Sequence, residues 1–170
     1  MTSRNKWIIG VLTTGALVGG IALATPQVGL LASTVLVTGT INRDVNAHAH
    51  VAIAGSEEGF SAQVETEGAA NFLVLDAKYA QGGTTGWHNH PGVLLLSLAA
   101  DSGPIDWYDS KCQKHVYQAG DSWTEGTSLH DVVFPSALGA HFVITYILPK
   151  GVGRRADQSP PDCAAALGMI

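Results

Sequence analysis

The sequence predicts an all-β protein, a sandwich or a barrel, and three observations support this. Short runs rich in β-branched and aromatic residues follow one another, turn residues separate them, and no convincing amphipathic helix interrupts the series. The predicted strands lie near residues 34–40, 48–53, 60–66, 71–80, 86–90, 92–99, 105–109, 114–118, 121–124, 130–134 and 141–148.

Turn signals separate these strands in order along the chain. They are Gly55, Gly68, Gly82-Gly83, Pro91-Gly92, Asp101-Ser102-Gly103-Pro104, Gly120-Asp121 and Gly126. The most apolar segment, GVLLLSLAA, has the composition of a helix as well as of a strand. Its place between a Pro-Gly pair and an Asp-Ser-Gly-Pro turn favours a buried strand.

Residues 1–24 are predicted to stand apart from the β domain. Arg4 and Lys6 precede a charge-free apolar run, and Ala22 and Ala24 provide the small residues of a cleavage site. These features are typical of a secretory signal peptide, which would make the protein secreted or cell-surface. This apolar run is longer than the apolar region of a typical signal peptide, so an uncleaved membrane anchor is the alternative. A membrane contact is expected only in that second case.

Composition excludes several classes of function. The chain has 170 residues, enough for one domain, with 46% apolar and 14% charged residues and a formal net charge of −5. This is not the composition of a disordered chain. Lys and Arg form no basic patch, so nucleic acid is not expected as a partner.

The two cysteines, Cys112 and Cys163, both lie in the part that would be exported. An even number of cysteines in an oxidising compartment predicts one disulfide, and two free thiols are the alternative. The bond would tie the C-terminal tail, residues 151–170, to the β domain. A metal role for the cysteines is disfavoured because neither belongs to a C-x-x-C motif.

The segment GWHNHPG places His88 and His90 two residues apart on a predicted strand. Side chains alternate along a strand, so both imidazoles point to the same face. Imidazole is a common protein ligand for Zn, Cu, Fe and Ni, and a third histidine from a neighbouring strand would complete a metal-binding face. The alternative is a pair of polar residues without a metal.

Two segments, GGTTGWHNHPG and YQAGDSWTEGTSLHDVVF, resemble the two motifs of the cupin superfamily. The matching positions are Gly82, His88, His90 and Gly103 in the first motif, and Gly120, Gly126 and His130 in the second. The resemblance covers about residues 34–150 and implies a single cupin barrel, a double-stranded β-helix or jelly roll.

The resemblance also implies a divalent metal ion, held by His88, His90 and His130. Zn, Mn, Fe, Ni and Cu all remain open. Cupins have a glutamate ligand four or five residues after the second histidine, and here Leu94 and Leu95 occupy those positions. The implied site is therefore three histidines without a carboxylate.

Two further residues are candidate auxiliaries of the site. Glu125 could act as a base or replace the missing ligand, although a surface carboxylate is the simpler interpretation. His141 begins the last strand and is a candidate to face the barrel interior. Trp87 has the opposite parity to the two histidines, so it is expected to pack outside the barrel. The second H-x-H pair, His48 and His50, is expected to be exposed and not to bind metal.

These observations predict an exported small cupin-domain protein with a three-histidine metal site that binds or acts on a small molecule in the barrel. The alternative is a non-catalytic module that binds a small ligand or a sugar without metal, and a third hypothesis is a structural domain whose site has decayed. The sequence leaves open whether the protein is an enzyme, because a fold does not select an activity. A homodimer is compatible with the sequence.

Overall fold

The computed structural model describes residues 24–55 and 59–169. These residues form twelve strands and one 3-10 helix. The strands are β1 (Val28–Ile41), β2 (Val45–Ala52), β3 (Gly59–Thr66), β4 (Ala70–Thr84), β5 (His88–Asn89), β6 (Val93–Leu98), β7 (Ile105–Asp109), β8 (Lys114–Tyr117), β9 (Ser122–Glu125), β10 (His130–Val133), β11 (Ala140–Pro149) and β12 (Ala156–Asp157), and the 3-10 helix spans Asp162–Leu167.

Ten of these strands form one antiparallel, nearly closed barrel, as the sequence predicts. The long strand β4 lies between β1 and β11, and the sheet continues from β11 through β6 to β9. At its far end β4 pairs with β10, which also pairs with β5 and β7. The barrel thereby brings β5 close to β9 and β10, two consecutive strands that come much later in the chain, around one interior.

The apolar segment GVLLLSLAA is a strand, as its flanking turns predict. In β6, Leu94, Leu96 and Leu98 are buried, whereas Val93 and Leu95 are half exposed. This period of two places one set of side chains in the core and the other on the outer surface. The core also contains the buried side chains Leu75, Ala77, Tyr79, Ile105, Trp123, Val132, Phe134, Ala140, Phe142, Ile144, Tyr146 and Leu148.

Strand boundaries differ from the prediction at several places: β2 begins at Val45 rather than at residue 48, β4 extends to Thr84 rather than to residue 80, and two further differences concern β1 and β5. β1 begins at Val28 rather than at residue 34, because its first residues pair with the end of β4 at Thr84. The strand predicted over 86–90 is reduced to the two residues of β5. Both differences depend on pairing with distant strands, which local composition does not specify.

Strands β2 and β3 form a separate two-stranded sheet. His48 and His50 lie in β2 with exposed side chains, as predicted.

The C-terminal tail, residues 151–170, contains a short strand and a 3-10 helix. Its strand β12 pairs with β5, and the Gln158 backbone N–H donates a hydrogen bond to the Trp87 carbonyl over 2.9 Å. The 3-10 helix that follows carries Cys163, which forms the predicted disulfide with Cys112. The tail is thus held by strand pairing as well as by the disulfide, and it lies directly against the strand that carries the first histidine.

Residues 1–23 of the predicted signal segment lie outside the described residues. Among the residues that the structure describes, no helix is long and apolar enough to cross a membrane. Cleavage, anchoring and the domain boundaries at residues 24, 34 and 150 stay predictions.

Candidate metal centre

Three histidines meet inside the barrel where β5 pairs with β10. His130 lies directly opposite His88 in the antiparallel register, and His90 follows β5 on the same face as His88. All three side chains are buried, and their ring centroids are 4.3 to 5.2 Å apart. The structure therefore brings together the three histidines that the resemblance implies.

Backbone carbonyls orient all three rings through Nδ1. The Nδ1 atoms of His88 and His90 lie 2.7 Å from the carbonyls of Gly86 and Arg154, and His130 Nδ1 lies 2.9 Å from the Ser128 carbonyl. A carbonyl oxygen only accepts hydrogen bonds, so each Nδ1 carries a proton. In the neutral rings Nε2 then bears the lone pair, which is how metal-ligating histidines are usually presented.

The Gly86 carbonyl orients the His88 ring, and the backbone conformation at this position requires a glycine. Its φ is +69°, and a Cβ placed there would lie 2.3 Å from the Thr25 carbonyl oxygen. A side chain is excluded both by the left-handed conformation and by this close approach. The glycine therefore helps to set the carbonyl that His88 Nδ1 contacts.

The expectation that no carboxylate accompanies the histidines is wrong, and so is the interpretation of Glu125 as a surface residue. Glu125 is buried, and its Oε2 lies 3.4 Å from His90 Nε2 and 3.2 Å from His130 Nε2. In the register of β6 and β9 it lies directly opposite Leu94, where the resemblance places the glutamate ligand. The carboxylate is thus supplied from the neighbouring strand, while Leu95 faces outward, half exposed.

Two tryptophans fix the Glu125 carboxylate through its other oxygen. The indole N–H groups of Trp107 and Trp123 donate to Oε1 over 2.9 and 3.1 Å. Trp107 also stacks on the His130 ring, with centroids 5.7 Å apart and planes 17° from parallel. Because Oε1 is occupied in this way, Oε2 is directed at the histidines.

The charges of the cluster are strongly coupled. Burial alone would raise the pKa of Glu125, but its close contacts with His130 and His90 lower that pKa well below its usual range. Burial would lower the pKa of His130, but Glu125 outweighs burial and raises it. Burial, followed by the charges of His130, Arg155 and His90, lowers the pKa of His88 to about 2, so this ring is neutral at ordinary pH.

The residues of this cluster fit a divalent metal ion. One ligand atom from each of His88, His90, Glu125 and His130 lies within 4.8 Å of the others. The Nε2 atoms of His90 and His130 are buried and have no hydrogen-bond partner among the described residues. Buried lone pairs that face a carboxylate are unfavourable unless a cation, either a proton or a metal ion, lies between them. Three imidazoles and one carboxylate are ligands that Zn, Mn, Fe, Ni and Cu all accept.

A cavity of about 160 Å³ adjoins the cluster inside the barrel. Its wall is mostly apolar, and His88, His90 and Glu125 reach it together with the phenols of Tyr79 and Tyr146. Burial raises the pKa of both phenols, so they stay protonated and can donate hydrogen bonds. A small molecule in this cavity would therefore lie beside the four candidate ligands.

The sequence analysis missed the tail residues and Trp107 as parts of this site. Arg154 contributes the carbonyl that orients His90, and Arg155 lines the cavity. The sequence carries no local signal for these residues, because the pairing of β12 with β5 and of β7 with β10 places them. Trp87 is fully buried, and its indole N–H donates to the Met169 carbonyl in the tail over 3.2 Å.

His141 does not face the barrel interior, contrary to the expectation. Buried residues of β11 alternate with it, so it points outward with Val143. Its Nε2 lies 2.8 Å from Asp76 and its Nδ1 lies 2.6 Å from Asp101, which also contacts Lys78 at 3.7 Å. This arrangement suits a protonated imidazole between two carboxylates.

We expect His141→Gln to destabilise the protein more in acid than in base. The hydrogen bond to Asp76, opposed by slight burial and reinforced by Asp101, raises the pKa of His141. Its contribution to stability is therefore fully present below its unfolded pKa of about 6.5 and is lost as the pH rises through the folded pKa. The Asp76 contact predicts a loss of about 1 kcal/mol at low pH. Urea unfolding at pH 5.5 and pH 9 measures it, with exposed His48→Gln as the control; equal losses at both pH values would contradict the prediction.

Known proteins that are similar to this chain are found among solved structures. A search of protein-family models gives no match, and a search of curated proteins gives none. Among solved structures, a predicted oxalate decarboxylase from Thermotoga maritima is 17% identical, covering 49% of this chain and 84% of that one, with a TM-score of 0.40. A double-stranded β-helix protein from Klebsiella pneumoniae is 17% identical, covering 52% and 75%, with a TM-score of 0.43. A cupin domain from Bordetella pertussis is 19% identical, covering 64% and 96%, with a TM-score of 0.40. Likenesses at this level do not bear on what this chain binds.

Proposed function

We propose, from the nearly closed barrel and the cluster inside it, that the chain is a cupin-type, double-stranded β-helix protein that binds a divalent metal ion. The ligands are His88, His90, Glu125 and His130. The observation that carries this proposal is the pair of buried, unpartnered Nε2 atoms aimed at the Glu125 carboxylate.

The second part of the proposal is that a small molecule binds in the cavity beside the ion. When bound, the ion supplies a Lewis acid at the cavity wall. The protein contributes rigid imidazole ligands, a carboxylate held by two indoles, and two protonated phenols that can orient the small molecule. The apolar wall excludes water from the remaining surface of that molecule.

We also propose that the protein works outside the cytoplasm. The disulfide between Cys112 and Cys163 is of the kind that persists in oxidising compartments. The composition of residues 1–24 supports the same location, as either a cleaved signal or a retained anchor.

Elemental analysis of protein purified without a histidine tag tests the metal site. After loading and gel filtration, the wild type is expected to retain about one equivalent of Zn, and His88→Ala/His130→Ala to retain less than about a tenth of that. The matched control is His48→Ala/His50→Ala, which removes the exposed H-x-H pair on β2 and is expected to leave retention unchanged. Equal retention in the two double variants would refute the ligand assignment.

A further inference from the structure

Arg155 lies beside the metal cluster because the tail pairs with β5. Asp157 is opposite His88 in that register, and Arg155 precedes it by two residues. Arg155 lies just before β12, and a residue two positions from Asp157 in extended chain would share its face, which is the side of the sheet that carries His88 and His90. Arg155 lines the cavity, consistent with this register.

The guanidinium of Arg155 has an unused donor. Its Nε contacts the Asp157 carboxylate, whereas Nη2 is buried and has no hydrogen-bond partner among the described residues. Arginine stays protonated under all ordinary conditions and cannot relieve this by losing its charge. A buried charged donor without an acceptor is unfavourable, so this atom is suited to an acceptor that arrives with a ligand.

The charges around the cavity favour an anion. Glu125 is the one acidic side chain among its described lining residues, and its two oxygens already face the tryptophans and histidines. Arg154 and Arg155 both line the cavity, and a bound divalent ion would add further positive charge. Asp157 offsets part of the Arg155 charge, but no acidic side chain of the described residues contacts its Nη2 atom, which remains available to an anion.

Size and wall chemistry narrow the class of anion. A cavity of about 160 Å³ is close to the ~150 Å³ that holds a six-carbon ring. Most of the remaining wall is apolar, including Leu75, Leu96 and Phe142. A phosphate dianion needs donors on several sides, whereas a carboxylate on a short apolar body needs one guanidinium and an apolar wall.

We propose that the cavity binds a small organic carboxylate of about six non-hydrogen atoms, with its carboxylate on the Arg155 guanidinium and its apolar body against the leucine and phenylalanine wall. This inference rests on the proposed function in placing the ligand beside the metal. The Arg155 contact itself does not require the ion, which makes the two separable by experiment.

Calorimetric titration with isobutyrate tests the proposal, with isobutyramide as the uncharged molecule of the same shape. Isobutyrate is expected to bind the wild type, both metal-free and Zn-loaded, at least about tenfold more tightly than isobutyramide. Arg155→Met is expected to weaken isobutyrate binding at least about tenfold in both forms, and Arg155→Lys, which keeps the charge but loses the planar fork, to fall in between. Lys150→Met, the charge-matched control outside the cavity, is expected to change the affinity less than about twofold.

Three results would overturn the carboxylate site: no isobutyrate binding by the wild type, equal binding by Arg155→Met, or tighter binding of inorganic phosphate than of isobutyrate. Thermal unfolding of each variant establishes that a loss of binding is not a loss of folding. If the wild type fails to retain Zn but its metal-free form binds isobutyrate through Arg155, the proposed metal function fails and the carboxylate site stands. If all variants retain Zn but isobutyrate binds equally well with and without Arg155, the carboxylate site fails and the proposed metal function stands.

Discussion

Glu125→Gln is expected to abolish tight metal binding while leaving the metal-free protein as stable as the wild type. The amide oxygen can accept the two indole N–H groups that now contact Oε1. The amide nitrogen then takes the place of Oε2 and donates to the lone pairs on His90 and His130, which lack a partner. Glutamine thus satisfies every polar atom in the cluster but removes the negative ligand.

The metal-dependent part of the effect should be large. Loss of partners one shell beyond the metal costs up to about 100-fold in affinity, and loss of a direct ligand should cost at least as much. With free metal at 100 times the wild-type Kd, the wild type gains about 2.7 kcal/mol of stability, whereas a variant with 100-fold weaker binding gains about 0.4 kcal/mol. Thermal and urea unfolding with and without Zn measure this difference.

Glu125→Ala separates the two roles of the carboxylate. Alanine removes the acceptor of both indoles, so Trp107 and Trp123 keep buried N–H donors without a partner. The metal-free form of this variant is expected to lose about 2 kcal/mol or more. Two results would contradict these predictions for Glu125: wild-type retention of Zn by Glu125→Gln, or a metal-free Glu125→Gln that is as unstable as Glu125→Ala.

The three histidines could be predicted from the sequence, because their positions follow from local strand alternation or from a sequence motif. The shared face of His88 and His90 follows from strand alternation alone. His130 followed from the resemblance, and the structure places it opposite His88. Gly82, whose φ is +75°, is one of the glycines that the resemblance matched.

Glu125 was a candidate replacement for the missing ligand, but the sequence favoured a surface position for it because its burial depends on the register between two strands. The position after His90 where cupins have their glutamate is occupied by Leu94. Glu125 lies opposite Leu94 on the paired strand, at the same level of the barrel. The alternation of β9 held a partial signal, because Trp123 and Glu125 share a face and a strand face with a tryptophan is usually buried. The tail posed the same problem: the pairing of β12 with β5 depends on tertiary structure.

Removal of the disulfide by Cys112→Ser/Cys163→Ser is expected to weaken both the fold and the metal site. The bond joins cysteines 51 residues apart, and closing a loop of that length stabilises a protein by about 4 kcal/mol in the chain-entropy model. The double variant avoids an unpaired thiol, so its urea unfolding reports the loss of the cross-link alone.

The effect on the metal site follows from the contacts of the tail. The Arg154 carbonyl, 2.7 Å from His90 Nδ1, fixes the tautomer and direction of that ligand. When the tail detaches more often, His90 loses this partner for part of the time, and loss of such a partner costs about tenfold or more in metal affinity. His88 and His130 keep their carbonyls, which belong to Gly86 and Ser128 in the barrel.

Leu98→Ala is the control that distinguishes a tail effect from general instability. Leu98 is buried in the core and does not line the cavity, so its truncation should cost about 3 kcal/mol while the tail stays anchored. We expect this variant to bind Zn with wild-type affinity, and the double serine variant to bind it more weakly and to exchange the Gln158 amide proton faster. Equal Zn affinities in these two variants would mean that the orientation of His90 is set within the barrel and that the tail serves the cavity through Arg155 alone.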